Sequence, residues 1–138
     1  MTAIKVNWSF NLAIEAGPRL STSNPPIEVT GYDFVRGLIP KGTTTAKEVV
    51  LEVQPTAGIS GAGAKVVFLA ILGEKFDSLS YATAAGSATK TKLDGPQILL
   101  GEGAVSLLGS SAPTKLYFEN SSATDDLQVE IIVGRKAS

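Results

Sequence analysis

The 138-residue chain contains no cysteine and no histidine, and only one methionine and one tryptophan. Without cysteine there is no disulfide. Without histidine the chain lacks the usual acid/base of neutral pH and the commonest transition-metal ligand. A serine or threonine nucleophile would then need a lysine base, and no motif places one beside a serine, so an enzyme is not expected. Charge is scarce as well: 12 basic residues against 13 acidic ones leave a net charge of −1, and 18% of residues are charged, below the typical ~25%. Such a chain offers no broad field to attract nucleic acid or an anionic membrane, and neither is expected as a partner. No apolar run approaches the ~20 residues of a membrane-spanning helix. Met1-Thr2-Ala3 leads directly into a patterned strand rather than an export signal, so Sec secretion is not expected. The uncharged surface must be built largely of Ser, Thr, Gly and Ala, which desolvates cheaply, as a subunit packed among neighbours requires.

What the sequence does contain is alternation. Ile4, Val6, Trp8, Phe10, Leu12 and Ile14 are apolar, and Lys5, Asn7, Ser9 and Asn11 between them are polar. Side chains on a strand alternate between two faces, so Ala3 to Glu15 reads as one long strand with a single buried face, spanning roughly 40 Å at about 3.3 Å per residue. A strand of that length must bend between sheets or reach past its own domain, and residues 1–6 are the expected intersubunit arm. Ala16-Gly17-Pro18 and Ser21 to Pro26 read as a surface connection. Ile27 to Val29 and Tyr32 to Arg36 read as a strand pair or one kinked strand. Glu48 to Gln54 is a half-exposed strand. Lys65 to Gly73 is almost unbroken in apolarity and predicts a central strand covered on both faces.

Ser80 to Ala84 and Thr89 to Leu93 flank a small-residue hairpin tip, and Gln97 to Leu100 and Ala104 to Leu108 are further strand candidates. Lys115 to Glu119 and Leu127 to Val133 flank Asn120 to Asp126 as an antiparallel pair. These total about eight or nine strands at sandwich spacing, with no helix of three turns. The expectation is a single-domain, all-β, antiparallel, jelly-roll-like β-sandwich over residues 1–138. Its core should be lined by Trp8, Phe10, Leu12, Val49, Leu51, Val67, Leu69, Leu116, Phe118, Val129 and Ile131.

No stretch carries a chemical signature. Gly58 to Lys65 lacks the Gly-Lys-Ser/Thr and the following helix of a phosphate loop, and Gly101-Glu102-Gly103 lacks the third glycine of a dinucleotide fingerprint. Asp125-Asp126, with Glu119, could supply oxygen ligands to Ca²⁺, but a solvated turn is the better expectation. No cofactor, metal site or catalytic residue is expected. Tyr32 and Tyr117 are the aromatic residues freest to form a contact surface, and Ile4 and Val6 those that a reaching strand would place in a partner's groove.

A cysteine-free, low-charge β-sandwich ending in Leu116-Tyr117-Phe118-Glu119-Asn120 and Leu127 to Val133 resembles the small sandwich or jelly-roll accessory proteins of tailed-phage particles, which include head decoration (cement) and tail components. The resemblance implies a structural virion subunit, made in the host cytoplasm, that binds protein neighbours as a homo-oligomer or on a particle shell. The competing expectation is a carbohydrate-binding module that uses Tyr32, Tyr81 or Tyr117 as a stacking platform.

Overall fold

The computed structural model describes residues 4–23, 25–42, 45–51, 64–109 and 113–137. Twelve strands occur among them: β1 (Ile4–Val6), β2 (Ser9–Ala13), β3 (Arg19–Ser23), β4 (Ile27–Val29), β5 (Gly31–Ile39), β6 (Lys47–Val50), β7 (Ala64–Gly73), β8 (Leu79–Ala82), β9 (Thr91–Lys92), β10 (Gln97–Leu100), β11 (Lys115–Asn120) and β12 (Leu127–Ala137). Eight of these form an antiparallel β-sandwich. The front sheet has the order β10-β7-β12-β5 and the back sheet the order β6-β11-β8-β9. Pairing is nested: β5 lies against β12, β6 against β11, β7 against β10 and β8 against β9.

Alternation decides the core. From the front sheet Ile39, Leu69, Ile71, Leu127, Val129, Ile131 and Val133 point inward, and they meet Val49, Leu79, Tyr81, Leu116 and Phe118 of the back sheet. The Tyr81 and Phe118 rings lie 5.7 Å apart at 37°, a tilted arrangement that aromatic pairs favour. Val49, Leu51, Leu69, Leu116, Phe118, Val129 and Ile131 are thus core residues as expected. Val67 is not. The β7/β12 register shifts between Gly134 and Arg135, where Phe68 pairs with Gly134 and Val66 with Arg135. Val67 is the extra residue of this irregularity, so Val66 joins Leu69 inside and Val67 is left half-buried.

Three expectations of element and pairing are corrected. Residues 115–119 and 127–133 do not form a hairpin, because β11 belongs to the back sheet and β12 to the front. The chain between them arches across the core, held by buried Asn120. Its amide donates to the carbonyls of Ile39 and Asp125, and its Oδ1 accepts from Ser78 Oγ and the Ser122 N–H. The two strands still share a buried face, as opposite walls rather than as neighbours. Ala104–Leu108 is not a strand: a helical turn, Glu102–Val105, runs into a 3₁₀ turn, Ser106–Leu108. Its Val105 fills the end of the core.

The third correction concerns the N-terminal alternation. The expected single strand is broken at Asn7-Trp8, and its apolar face does not enter the sandwich. Instead β1 pairs with β4 and β2 with β3, so residues expected to be a connection supply strand β3. Pro25 and Pro26 lie across from the break, and neither can donate a ladder hydrogen bond. The result is a two-stranded ribbon rooted where β4 runs on into β5. Its tip is closed by the Ile14 N–H donating to the Pro18 carbonyl and the Gly17 N–H donating to that of Ile14. Phe10 and Leu12, expected in the core, are exposed, and Trp8 is half-buried with its indole N–H unpartnered among the described residues.

Candidate functional site

The ribbon is amphipathic. In the β2–β3 ladder Phe10 stands opposite Thr22 and Leu12 opposite Leu20, which puts all four on one face, while Ser9, Asn11, Ser21 and Ser23 take the other. Phe10, Leu12, Leu20 and Ile14 beside the turn are 44–60% exposed. β2 and β3 pack on each other and, among the described residues, make no extended contact with the sandwich.

At the root of the ribbon the order is different. Ile4 pairs with Val29 and Val6 with Ile27, so these four share a face. Val29 is fully buried because it lies over the front sheet at Gly134, beside Phe68. The ribbon is therefore anchored to the outer surface of that sheet.

This outer surface is itself apolar. The register aligns Phe34, Ile132, Ala70 and Ile98 in one row across all four strands, and Tyr32, Gly134, Phe68 and Leu100 in the next. On the other side of the Phe34 row, the next row holds an ion pair, Arg36 with Glu130 at 3.7 Å, with Leu72 beside Glu130 and Leu38 in the row beyond; the Arg36 guanidinium sits 5.0 Å from the Phe34 ring centre. Tyr32, Phe34, Leu38, Leu72, Ile98 and Ile132 are 39–58% exposed. On the outer face of strand β7, expected to be covered on both faces, Phe68 is buried where the ribbon root lies, whereas Leu72 is exposed.

A second candidate lies on the outer face of the back sheet. A groove of about 470 Å³ runs over half-buried Tyr117, walled by Ala82, Ala84, Ala85, Glu48 and Lys90. Its carboxylates are neutralised, Glu119 by Lys90 and Glu48 by Lys115.

The four expected contact residues therefore fall on two sides of the molecule. Ile4, Val6 and Tyr32 belong to the ribbon root and the adjoining sheet face, and Tyr117 sits on the opposite sheet. Tyr81, the third stacking candidate, is buried in the core and donates to Gln97 Oε1. Sequence reasoning missed Leu72, Ile98 and Ile132. Their signal was the consecutive apolar residues of Val66 to Leu72, Ile98-Leu99-Leu100 and Ile131-Ile132-Val133, which make both faces of a strand apolar.

The acidic candidates do not converge. Asp125 accepts from Lys75 Nζ at 2.9 Å, a hydrogen bond that raises the lysine's pKa above its usual value, and Asp126 accepts the Lys41 N–H at 2.9 Å. Glu119 is engaged by Lys90. Among the described residues no group of His, Cys, Asp or Glu is placed to hold a metal ion, and no helix is long and apolar enough to cross a membrane. The expected flexible loop at 58–64 lies, up to residue 63, outside the described residues. Compared with known protein families, curated proteins and solved structures, the chain matches none.

Proposed function

We propose that this chain is a structural assembly subunit, a virion accessory protein of the decoration (cement) type, which docks through its ribbon and front sheet onto protein neighbours. One observation carries the reading: the row Phe34–Ile132–Ala70–Ile98 and its neighbours form an open apolar face on a strand set whose composition calls for cover on both sides. A half-exposed large side chain leaves on the order of 80 Å² open, given the ~150–250 Å² that aromatic residues bury when covered. The six residues of the face then present roughly 500 Å², the upper end of what monomers display (~300–600 Å²) and a size associated with interaction sites. The nested strand pairing supports a jelly-roll winding, an architecture used by viral capsid domains and lectins. The near-neutral, Ser/Thr-rich exterior fits a subunit that loses water to its neighbours. The test is gradient sedimentation of a lysate containing the particle. The chain should be found by mass spectrometry in the fast-sedimenting band, and its recovery only in slow fractions would overturn the reading.

A carbohydrate-binding role is the second reading, favoured by the Tyr117 groove, where an aromatic ring lies among compensated charges. Neutral glycans binding in calorimetry, with loss of binding in Tyr117→Ala, would support it.

A further inference from the structure

We infer that the partner for the apolar ribbon is the front-sheet face of a second copy of this chain, so that ribbon-on-face contacts join copies head to tail. This choice of partner presupposes the assembly role proposed above.

Both halves of the contact are present in one molecule and both are open. The ribbon presents Phe10, Leu12, Ile14 and Leu20, and the face presents Tyr32, Phe34, Leu38, Leu72, Ile98 and Ile132. Dimensions agree: five-residue strands make a ribbon ~17 Å long and two strands wide, while the face is four strands wide at ~4.8 Å per strand. Laid on the face at about 10 Å, the ribbon forms a third layer, packed as one sheet packs on another.

Area argues for this occupant. At on the order of 80 Å² for each half-exposed side chain, the ten residues together offer roughly 800 Å² of apolar surface. Apolar atoms make up little more than half of an ordinary interface, so a contact with this apolar share reaches the ~1,200 Å² at which specific interfaces begin.

Electrostatics are compatible. The charges within the face, Arg36 and Glu130, already neutralise each other, and the ribbon's apolar side carries none. Closing the contact therefore buries no unpaired charge. The molecule's own face is not the target, because the ribbon is rooted at the Gly134 end of that face by Val29 and continues from there without extended contact with its own sandwich. Contact between two different surfaces is heterologous, and it propagates into a ring or filament unless two copies exchange ribbons.

The test uses complementary variants of the full chain. Leu12→Asp with Leu20→Asp charges the ribbon, Phe34→Asp with Ile132→Asp charges the face, and a third variant lacks 9–23. All four substituted side chains are exposed, and an unchanged melting transition verifies the sandwich. In sedimentation velocity the parent chain should run as an oligomer. Each variant alone should be monomeric, with affinity lowered by about a hundredfold or more. An equimolar mixture of the ribbon-charged and face-charged variants should form a heterodimer, since one intact face and one intact ribbon remain. Continued self-assembly of the ribbon variants, or a mixture that stays monomeric, overturns the inference. So does a parent chain that stays monomeric; its recovery in the particle band would then leave the assembly role standing with a different protein as partner.

Discussion

The Phe68 ring lies over the Cα of Gly134, in the space that a side chain at position 134 would need, with a methyl of Val29 closing the same site. This contact joins the ribbon root to the front sheet, and only a residue without a β-carbon permits it. Gly134→Ala forces both neighbours aside and should destabilise the protein by about 1–3 kcal/mol, the usual range for overpacking. Urea unfolding measures the loss. Protease cleavage within residues 4–29 should accelerate at the same time, because Val29 loses its seat.

Asp33 and Arg135 face each other on the inner side of the front sheet, both buried, with Arg135 Nη1 donating to Asp33 Oδ2 at 2.9 Å. Breaking a buried pair strands the remaining charge, so Asp33→Asn should cost about 3–5 kcal/mol. Replacing both at once, Asp33→Leu with Arg135→Met, should recover most of that loss. A double variant as weak as the single one would mean that the pair is net stabilising.

Ala16, in the ribbon turn, has φ = 55°, a conformation that costs an L-residue with a β-carbon roughly 1–2 kcal/mol. Ala16→Gly should relieve that strain. Slower hydrogen exchange at the amides of Ile14 and Gly17, which close the turn, is the expected sign. The global melting temperature should stay put, because among the described residues the ribbon tip makes no extended contact with the sandwich.

Burial pushes the Tyr81 hydroxyl up to about 12 from its usual 10. Above pH 10 the unfolded chain therefore releases this proton while the folded protein retains it. The stability contributed by the protonated hydroxyl is complete below pH 10 and falls as pH rises toward 12. In Tyr81→Phe this part of the alkaline decline should vanish. At neutral pH the variant should lose about 1 kcal/mol with the hydrogen bond to Gln97. Denaturant melts across that pH range check both.

Where alternation came with a covering layer, it was legible. Val49 and Leu51, Leu116 and Phe118, and Val129 and Ile131 all point inward as their spacing implies. The same signal misled at Phe10 and Leu12, since a period of two says that one face is apolar without saying what lies against it. The apparent hairpin at 115–133 failed for a related reason: closeness in sequence suggests pairing, whereas Asn120 uses its side chain to turn the connection across the core. Residues 104–108 are too few for periodicity to separate a helical turn from a strand. Of the proposed contact surface, Tyr32 was named in advance, and Ile4 and Val6 fall in the ribbon root beside it. The body of the face was not, because Ile98, Ile132 and Leu72 are brought into register only by strands distant in the chain.

The nested pairing has a consequence for the order in which the protein acquires its parts. Strands β1 to β4 of the ribbon pair only with one another and can begin to form as soon as they leave the ribosome, although Val29 is seated only once Phe68 and Gly134 are in place. The front sheet needs β12, which pairs with both β5 and β7 and is made after every other strand. Such distant pairings form slowly. A nascent chain thus presents the apolar residues of the ribbon for some time before it has a face to offer, and under the proposed assembly only completed molecules receive a neighbour. Elongation of the proposed assembly would in this way be restricted to chains that have folded to their last strand.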